Sequence, residues 1–213
     1  LIVPADDPYA LASAMRTSAR SISYGVAEDA TVRVSDVGFY EQKGKIAGMQ
    51  AKVHMNGESK SVVVKGSVGA TQLLPIAAAF AAASAFDISF SEALTALEKY
   101  EPPPGRGRLL EGIHGSSIID DSYNSSPAAV EEALVTLKSF PHATRSYSAE
   151  DTKGRRIAVL GDMLELGRYS VMEHERLAVL AGDSADVIVT VGIRARAFAR
   201  MSKDVEVMRF DNA

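Results

Sequence analysis

Two adjacent carboxylates at the end of a short apolar run are the side chains best placed to do chemistry. Residues 117–119 read Ser-Ile-Ile, which is typical of a buried strand, and Asp120 and Asp121 follow directly. Ligands of open α/β sheets bind just outside the carboxyl ends of strands, so both acids stand where a site is expected. Successive strand residues point to opposite faces, so we expect only one of the two carboxylates to face a ligand.

A helix start follows the two acids. Ser126 precedes Pro127, the pairing expected where a serine oxygen caps a helix and proline fills its first position. Apolar residues then recur at helical spacing at positions 130, 133, 134 and 137. Strand, acidic turn and helix together predict half of a βαβ unit.

Two arginines, Arg106 and Arg108, precede this strand, and each has a glycine neighbour. They follow the three prolines 102–104, which cannot continue a helix, so we place a domain boundary there. A guanidinium is a planar fork of donors that suits a phosphate. Carried by a mobile glycine backbone beside the junction, the guanidinium could close onto a phosphate; a solvated basic linker is the alternative.

Two stretches resemble known signatures. The sequence DDSYNSSP at 120–127 resembles the DDSYNANP signature of the Mur ligase family, above all of its D-alanyl-D-alanine-adding type. The run GDMLELGRYSVMEH at 161–174 is similar to that family's second signature. Because both occur in the family's order and spacing, the resemblance is specific. It is clear over about residues 105–192 and faint before them.

The resemblance implies an ATP-dependent ligase of peptidoglycan precursor synthesis in the cytoplasm. Such an enzyme uses ATP and Mg²⁺ to convert the carboxylate of a UDP-linked muramyl tripeptide into an acyl phosphate, which the amine of D-alanyl-D-alanine attacks. The sequence contains no Gly-x-x-x-x-Gly-Lys-Ser/Thr phosphate loop. We therefore interpret the chain as part of a longer ligase that is inactive in isolation, with its oligomeric state open.

The resemblance also implies site residues. It assigns ATP binding to Gln72, Arg106, Asp121, Tyr123 and Asn124. Asp121 would hydrogen-bond the ribose, Tyr123 and Asn124 would shape the turn beside it, and Asp120 would anchor that turn. A helix-capping role is the alternative for Gln72. No catalytic or peptide-binding residue is assigned.

The predicted fold class is α/β. We expect residues 1–104 to be the C-terminal part of a central P-loop-type ATPase domain. Residues 105–213 would be a Rossmann-like, doubly wound Mur ligase C-terminal domain, incomplete at its end, because strands and helices alternate there. The continuous apolar run 157–160 is typical of a parallel strand covered on both faces.

The first part of the chain carries weaker signals. Residues 22–66 predict an antiparallel meander with a hairpin at Asn56-Gly57, and an alanine-rich helix follows. Asp6 and Asp7 suit either a family turn that has lost its asparagine or a simple helix cap.

We expect the polar residues of the second signature to have structural rather than ligand-binding roles. Ser170 and Glu173 fit a capping box that opens a helix. Asp162, Glu165, Glu173 and His174 could be mistaken for a metal cluster, but we expect them to be capping and surface groups, with no metal site.

Composition excludes several other classes. The 213 residues are 46% hydrophobic and 23% charged, as in an ordinary globular protein, and contain no cysteine for disulfides or thiolate chemistry. A net charge of −4 argues against nucleic acid or an anionic membrane as a partner. Apolar runs are too short for a membrane span.

Two further interpretations stay open. One is a sibling ligase that adds a diacid amino acid, or glutamate to folate, although no Asp-Asn-Pro-Arg selectivity motif is present. The other is a non-catalytic module that binds a nucleotide or a partner, which the loss of a family His-Asn pair near Gln72 would permit.

Overall fold

The structure, a computed structural model, describes residues 1–141, 144–145, 152–201 and 205–212. Contacts divide the chain into two compact units, Leu1–Asp121 and Ser122–Ala213. Segment 105–121 groups with the first unit because it is hydrogen-bonded there, for example from the Leu109 N–H to the Gly66 carbonyl at 2.9 Å. The domain boundary placed after Pro104 stays a prediction.

Unit 1 is built on a mixed sheet of five strands. Its first elements are β1 (Ile2–Pro4), α1 (Pro8–Ala14), β2 (Ile22–Gly25), β3 (Val32–Gln42), β4 (Lys45–Met55) and β5 (Glu58–Lys65). The strands lie in the order β1-β2-β3-β4-β5, with β1, β2 and β3 parallel and β3, β4 and β5 antiparallel. Strands β3, β4 and β5 confirm the predicted antiparallel meander, but β2, which that prediction included, pairs parallel with both β1 and β3.

Sequence alternation explains the two faces of this meander. Val32 and Val34 are buried, whereas Arg33 and Ser35, which alternate with them along the strand, are partly exposed, because successive strand residues point to opposite faces. The apolar face packs on α2 (Leu73–Ala85), which buries Phe80. Asn56 and Gly57 both have positive φ (52° and 79°), which confirms the predicted hairpin turn.

The rest of unit 1 is a helix and a small hairpin. Helix α3 (Phe90–Leu97) begins with a capping box between Ser89 and Glu92. Strands β6 (Arg108–Glu111) and β7 (Ser117–Asp120) pair antiparallel, so the predicted strand ends at the first of the two acids.

From β10 onward, unit 2 alternates parallel strands with helices, which confirms the predicted α/β class. Its elements are α4 (Pro127–Ser139), the two-residue strands β8 (Thr144–Arg145) and β9 (Thr152–Lys153), β10 (Ile157–Gly161), α5 (Ser170–Ser184), β11 (Val187–Val191), α6 (Arg196–Met201) and β12 (Glu206–Phe210). Strands β10, β11 and β12 form a parallel sheet in chain order. The Ser126 side chain caps α4, as predicted, by accepting the Ala129 N–H at 3.3 Å.

Helices α4, α5 and α6 share one core with the sheet. Leu134, Leu177 and Phe198 are buried there against Ala158 and Ile188, which are register partners on one sheet face. On the other face Ile157 and Val159 are 50% and 67% exposed, so the expectation that both faces of this strand are covered is not met within the described residues.

No helix among the described residues combines the length and the apolar character needed to cross a membrane.

Candidate functional site

The predicted arginine segment folds as a strap, which we define as residues 105–108. Its two glycines are buried, whereas Arg106 and Arg108 are exposed. Both glycines have positive φ, 71° at Gly105 and 62° at Gly107, a conformation that glycine adopts without steric cost. The backbone therefore turns inward at each glycine and leaves the arginine side chains outside.

Hydrogen bonds fix the strap on both sides. The Gly107 carbonyl accepts the Val68 N–H at 2.9 Å and the Ser67 hydroxyl at 3.2 Å. On the opposite side, Asp120 Oδ2 accepts the Gly105 N–H at 3.0 Å and Asp121 Oδ1 accepts the Gly107 N–H at 2.9 Å. These four hydrogen bonds hold Arg106 at the tip of an anchored turn, so the expectation of a mobile glycine backbone is wrong.

The two carboxylates reach the same strap, contrary to the expected alternation. Strand β7 ends at Asp120, so Asp121 lies beyond the extended segment and strand alternation no longer separates the two side chains. Asp120 anchors the strap through its bond to Gly105, whereas its expected role in anchoring the turn at Tyr123 and Asn124 stays a prediction. Asp121 adds a second anchor through one oxygen.

Asp121 is electrostatically unusual. Burial raises the pKa of its carboxyl above the ordinary value of 3.8, and the neighbouring Asp120 charge raises it further. The Gly107 N–H and the Arg106 guanidinium oppose this shift by stabilising the charged form. A partly buried acid with a raised pKa beside a cation is typical of a functional site.

Gln72 lies at the same turn. It occupies the N-cap position of α2, but its side chain makes no capping hydrogen bond, so the capping alternative is not supported. A Cβ placed on Gly107 would lie 2.8 Å from Gln72 Nε2 and 2.8 Å from the Val68 carbonyl oxygen. Unit 1 thus brings three of the predicted residues, Gln72, Arg106 and Asp121, around Gly107.

The other two predicted residues belong to unit 2. Tyr123 is 72% exposed. Asn124 is also exposed, and its side-chain oxygen accepts the Ser125 N–H at 2.9 Å. Both residues follow Asp121 directly in the sequence and precede the capped start of α4.

The second signature forms a clamp at the carboxyl edge of the unit 2 sheet. Asp162 follows β10, and its Oδ1 accepts the Ala195 N–H at 2.7 Å. A Cβ on Gly192, after β11, would lie 2.4 Å from that carboxylate, so only glycine leaves it room. Asp162 therefore ties the loop after β10 to the loop after β11.

His174 is fully buried, and sequence reasoning missed its role. Its Nε2 accepts the Met163 N–H at 3.0 Å, and its Nδ1 donates to the Ser170 carbonyl at 2.7 Å, which defines a neutral ring with its proton on Nδ1. The surface role expected for His174 is wrong. It shares the apolar stripe of Leu177, Ala178 and Ala181 at helical spacing, and that stripe was the sequence signal for burial.

The predicted capping box at Ser170 is also wrong. Ser170 is the first residue of α5, the N-cap is Tyr169, and no side chain caps the helix. His174 accepts the N–H of the preceding loop instead, so the histidine fixes the loop that enters the helix.

An open groove of about 540 Å³ lies beside this loop, at the start of α4 and α5. Its charged residues are Glu131, Glu165, Glu173 and Arg176. Arg176 donates to both Glu131 and Glu173 at 2.9 Å, and these carboxylates raise the pKa of its guanidinium. With three acids and one base, the groove is negative and suits a ligand with an ammonium group.

The described residues do not by themselves form a magnesium site. Within those residues, no group of three or more acidic or histidine side chains is arranged to hold a metal ion. His174 uses both ring nitrogens on the backbone, and Asp162 accepts a backbone N–H with Oδ1 while its Oδ2 lies 3.9 Å from Arg194 Nη1.

Comparison with known proteins bears on this arrangement. Residues 105–212 match the family model "Mur ligase, glutamate ligase domain", which covers half of the chain. The chain belongs to the Mur ligase family. The match includes Arg106, Asp121 and both signatures of this Mur ligase chain.

Individual Mur ligases are similar over most of the chain. The UDP-N-acetylmuramoyl-tripeptide–D-alanyl-D-alanine ligase of Mycobacterium tuberculosis is 30% identical over 186 residues, which are 85% of this chain and 34% of that protein. The chain therefore spans about a third of that relative's length.

Two solved structures share the fold. MurF from Acinetobacter baumannii matches with a TM-score of 0.77 and 24% identity over 98% of this chain and 42% of its own. MurF from Thermotoga maritima, solved with ADP, matches with a TM-score of 0.76 and 22% identity over 100% and 49%.

Proposed function

We propose that this chain is the nucleotide-closing and amine-receiving part of a ligase that joins D-alanyl-D-alanine to a UDP-linked muramyl tripeptide. The single observation that carries the proposal is the convergence of Gln72, Arg106 and Asp121 around the Gly107 turn, inside a chain of the Mur ligase family. ADP in the similar Thermotoga enzyme supports a nucleotide as the ligand.

The residues have distinct roles in this proposal. The Asp121 oxygen that does not bind Gly107 accepts a ribose hydroxyl. The Arg106 guanidinium, held out by the anchored strap, pairs with a phosphate. The Gln72 amide contacts the adenine or ribose, and Tyr123 and Asn124 shape the turn that follows Asp121. The chain thereby binds and orients ATP, while the phosphate-cradling loop comes from another part of the ligase.

The reaction itself passes through an acyl phosphate. The tripeptide carboxylate attacks the γ-phosphorus of ATP and releases ADP, and the amine of D-alanyl-D-alanine then displaces phosphate to form the amide. We place the ammonium group of the dipeptide in the negative groove of unit 2, where Glu165 is exposed. Magnesium dependence and a cytoplasmic location belong to the proposal; the described residues supply no complete metal site.

The test is a ligation assay with a full-length ligase that contains this chain. Supplied with ATP, the UDP-linked tripeptide and D-alanyl-D-alanine, it should release phosphate and form the amide product in equal amounts. The 213-residue chain alone should form none, because it carries no phosphate loop.

Two substitutions of substrate separate the alternatives. Product with a diacid amino acid or glutamate, but not with the dipeptide, would identify a sibling ligase. Absence of product with every acceptor, from a folded protein that binds ADP, would identify a non-catalytic nucleotide-binding module.

A further inference from the structure

The negative groove of unit 2 contains one acid that its neighbours leave unpaired. Arg176 donates to Glu131 and to Glu173, so both of those carboxylates are engaged. The Glu165 side chain is exposed, and it makes no hydrogen bond or ion pair with the residues that the structure describes. Glu165 is therefore the carboxylate of the groove that is accessible to a ligand.

An arginine lies against one wall of the same groove. Arg168 Nη2 donates to the Tyr169 hydroxyl at 2.7 Å, and Arg168 Cζ lies 4.9 Å from the centre of the Tyr169 ring, which lines the groove. These two contacts hold the guanidinium beside the groove. Arg168 is exposed and has no carboxylate partner within the described ranges, so most of its five N–H donors are open to a ligand.

The groove also has an apolar lining. Pro127 and Ala128 contribute to it from the start of α4, and Leu166 from the loop before α5. Side chains of this kind accommodate methyl groups and offer them no hydrogen bond. The groove thus combines an accessible acid, an apolar wall and a guanidinium held by an aromatic ring.

We propose that Arg168 binds the terminal carboxylate of the acceptor dipeptide while Glu165 binds its ammonium group. The inference rests on the proposed function, which supplies an acceptor with one ammonium group, two methyl side chains and one carboxylate. An extended dipeptide spans at most about 7 Å, so a groove of about 540 Å³ accommodates both of its ends. Arg168 thereby selects acceptors that end in a free carboxylate, which a guanidinium binds with two parallel hydrogen bonds.

The charges of the groove disfavour the other two substrates of the proposed reaction. ATP and the UDP-linked tripeptide are anionic, and the three acids with Arg176 give the groove a net negative charge. One further arginine at the wall therefore suits a ligand that carries both an ammonium group and a carboxylate.

The test is a titration of the ¹⁵N-labelled chain with D-alanyl-D-alanine and, separately, with its C-terminal amide, followed by backbone N–H chemical shifts. We expect the dipeptide to give saturable shifts at residues 165–169, and its amide, which lacks the carboxylate, to bind about tenfold more weakly. Arg168→Gln should bind the two ligands equally and weakly. Arg168→Lys keeps the charge but loses the fork, so its preference should be intermediate.

The matched control is Arg200→Gln, which removes the same charge from an exposed position of unit 2 and should keep the wild-type preference. The proposal is overturned if wild type shows no saturable shifts at residues 165–169, or if it binds the dipeptide and its amide equally. It is also overturned if a correctly folded Arg168→Gln variant keeps the preference for the free carboxylate.

A third ligand tests the other end of the dipeptide. N-acetyl-D-alanyl-D-alanine keeps the carboxylate but lacks the ammonium group, so wild type should bind it more weakly than the dipeptide. Equally tight binding of the acetylated dipeptide would overturn the role of Glu165.

The titration needs neither ATP nor catalysis, so its failure is distinguishable from failure of the proposed function. Ligase activity with the dipeptide, together with no binding at residues 165–169, would overturn this inference alone. Binding of the dipeptide through Arg168, in a full-length ligase that forms no product, would uphold this inference and overturn the ligase activity.

Discussion

Asp121 in unit 1 and Asp162 in unit 2 each follow a strand within a family signature and each accept a backbone N–H, yet their surroundings differ. Asp121 binds Gly107 with one oxygen, and burial raises its pKa beside the Arg106 guanidinium. Asp162 fills the space against Gly192 and joins two loops, and the neighbouring His174 is fully satisfied by backbone groups. We therefore propose that the first signature faces a ligand, whereas the second holds two loops of unit 2 together.

The largest effect should come from the scaffold. His174→Ala removes a buried ring and leaves the Met163 N–H and the Ser170 carbonyl without partners, so it should destabilise unit 2 by about 3–4 kcal/mol. Hydrogen exchange of unit 2 amides measures this. Met172→Ala, on the exposed side of the same helix, is the control and should change protection little. If the two variants lost equal protection from exchange, His174 would not be the residue that holds the loop at Met163.

Substitution of Gly107 in the strap should destabilise the protein nearly as much. Gly107→Ala forces a side chain into positive φ and places its Cβ 2.8 Å from two atoms, so it should destabilise unit 1 by about 2–3 kcal/mol. Gly115→Ala meets open space at a similar φ of 74° and should lose only about 1 kcal/mol. Urea denaturation compares the variants, and similar midpoints would show that the strap tolerates displacement.

The sequence predicted the elements of the site better than their connections. Apolar patterns, capping residues and turn residues were sufficient to predict β7, the Ser126 cap and the hairpin at Asn56, because these features depend on residues that are neighbours in the chain. The bonds from Gly105 and Gly107 to the acids join residues 14 or 15 positions apart, and no local pattern encodes them. The burial of His174 was not predicted, because a histidine is polar, although its position on an apolar stripe of the helix indicated burial.

A smaller effect is the pH dependence of stability that Asp121 causes. Because the folded-state pKa of Asp121 is raised, its contribution to stability is fully present below the ordinary value of 3.8 and is lost as pH rises through the folded pKa. Asp121→Asn keeps an acceptor for Gly107 and carries no buried charge. At neutral pH it should therefore be as stable as wild type or slightly more stable, by less than about 1 kcal/mol.

Denaturation midpoints of wild type and Asp121→Asn between acidic and neutral pH check this expectation. The wild-type chain should lose stability relative to the variant as pH rises. A relative gain instead would mean that the ionised Asp121 stabilises the fold and that the strap, rather than a ligand, accounts for its position.

The most direct measurement compares Asp121→Asn with Asp162→Asn in a full-length ligase that contains this chain, recording the KM for ATP and the melting temperature of each. We predict that Asp121→Asn raises the KM for ATP about tenfold, since it weakens a charge-assisted hydrogen bond to the nucleotide, and leaves the melting temperature unchanged. Asp162→Asn should keep that KM and lower the melting temperature by about 4–8 °C. The reverse pattern, or an unchanged KM in both variants, would contradict the assignment of the first signature to ATP.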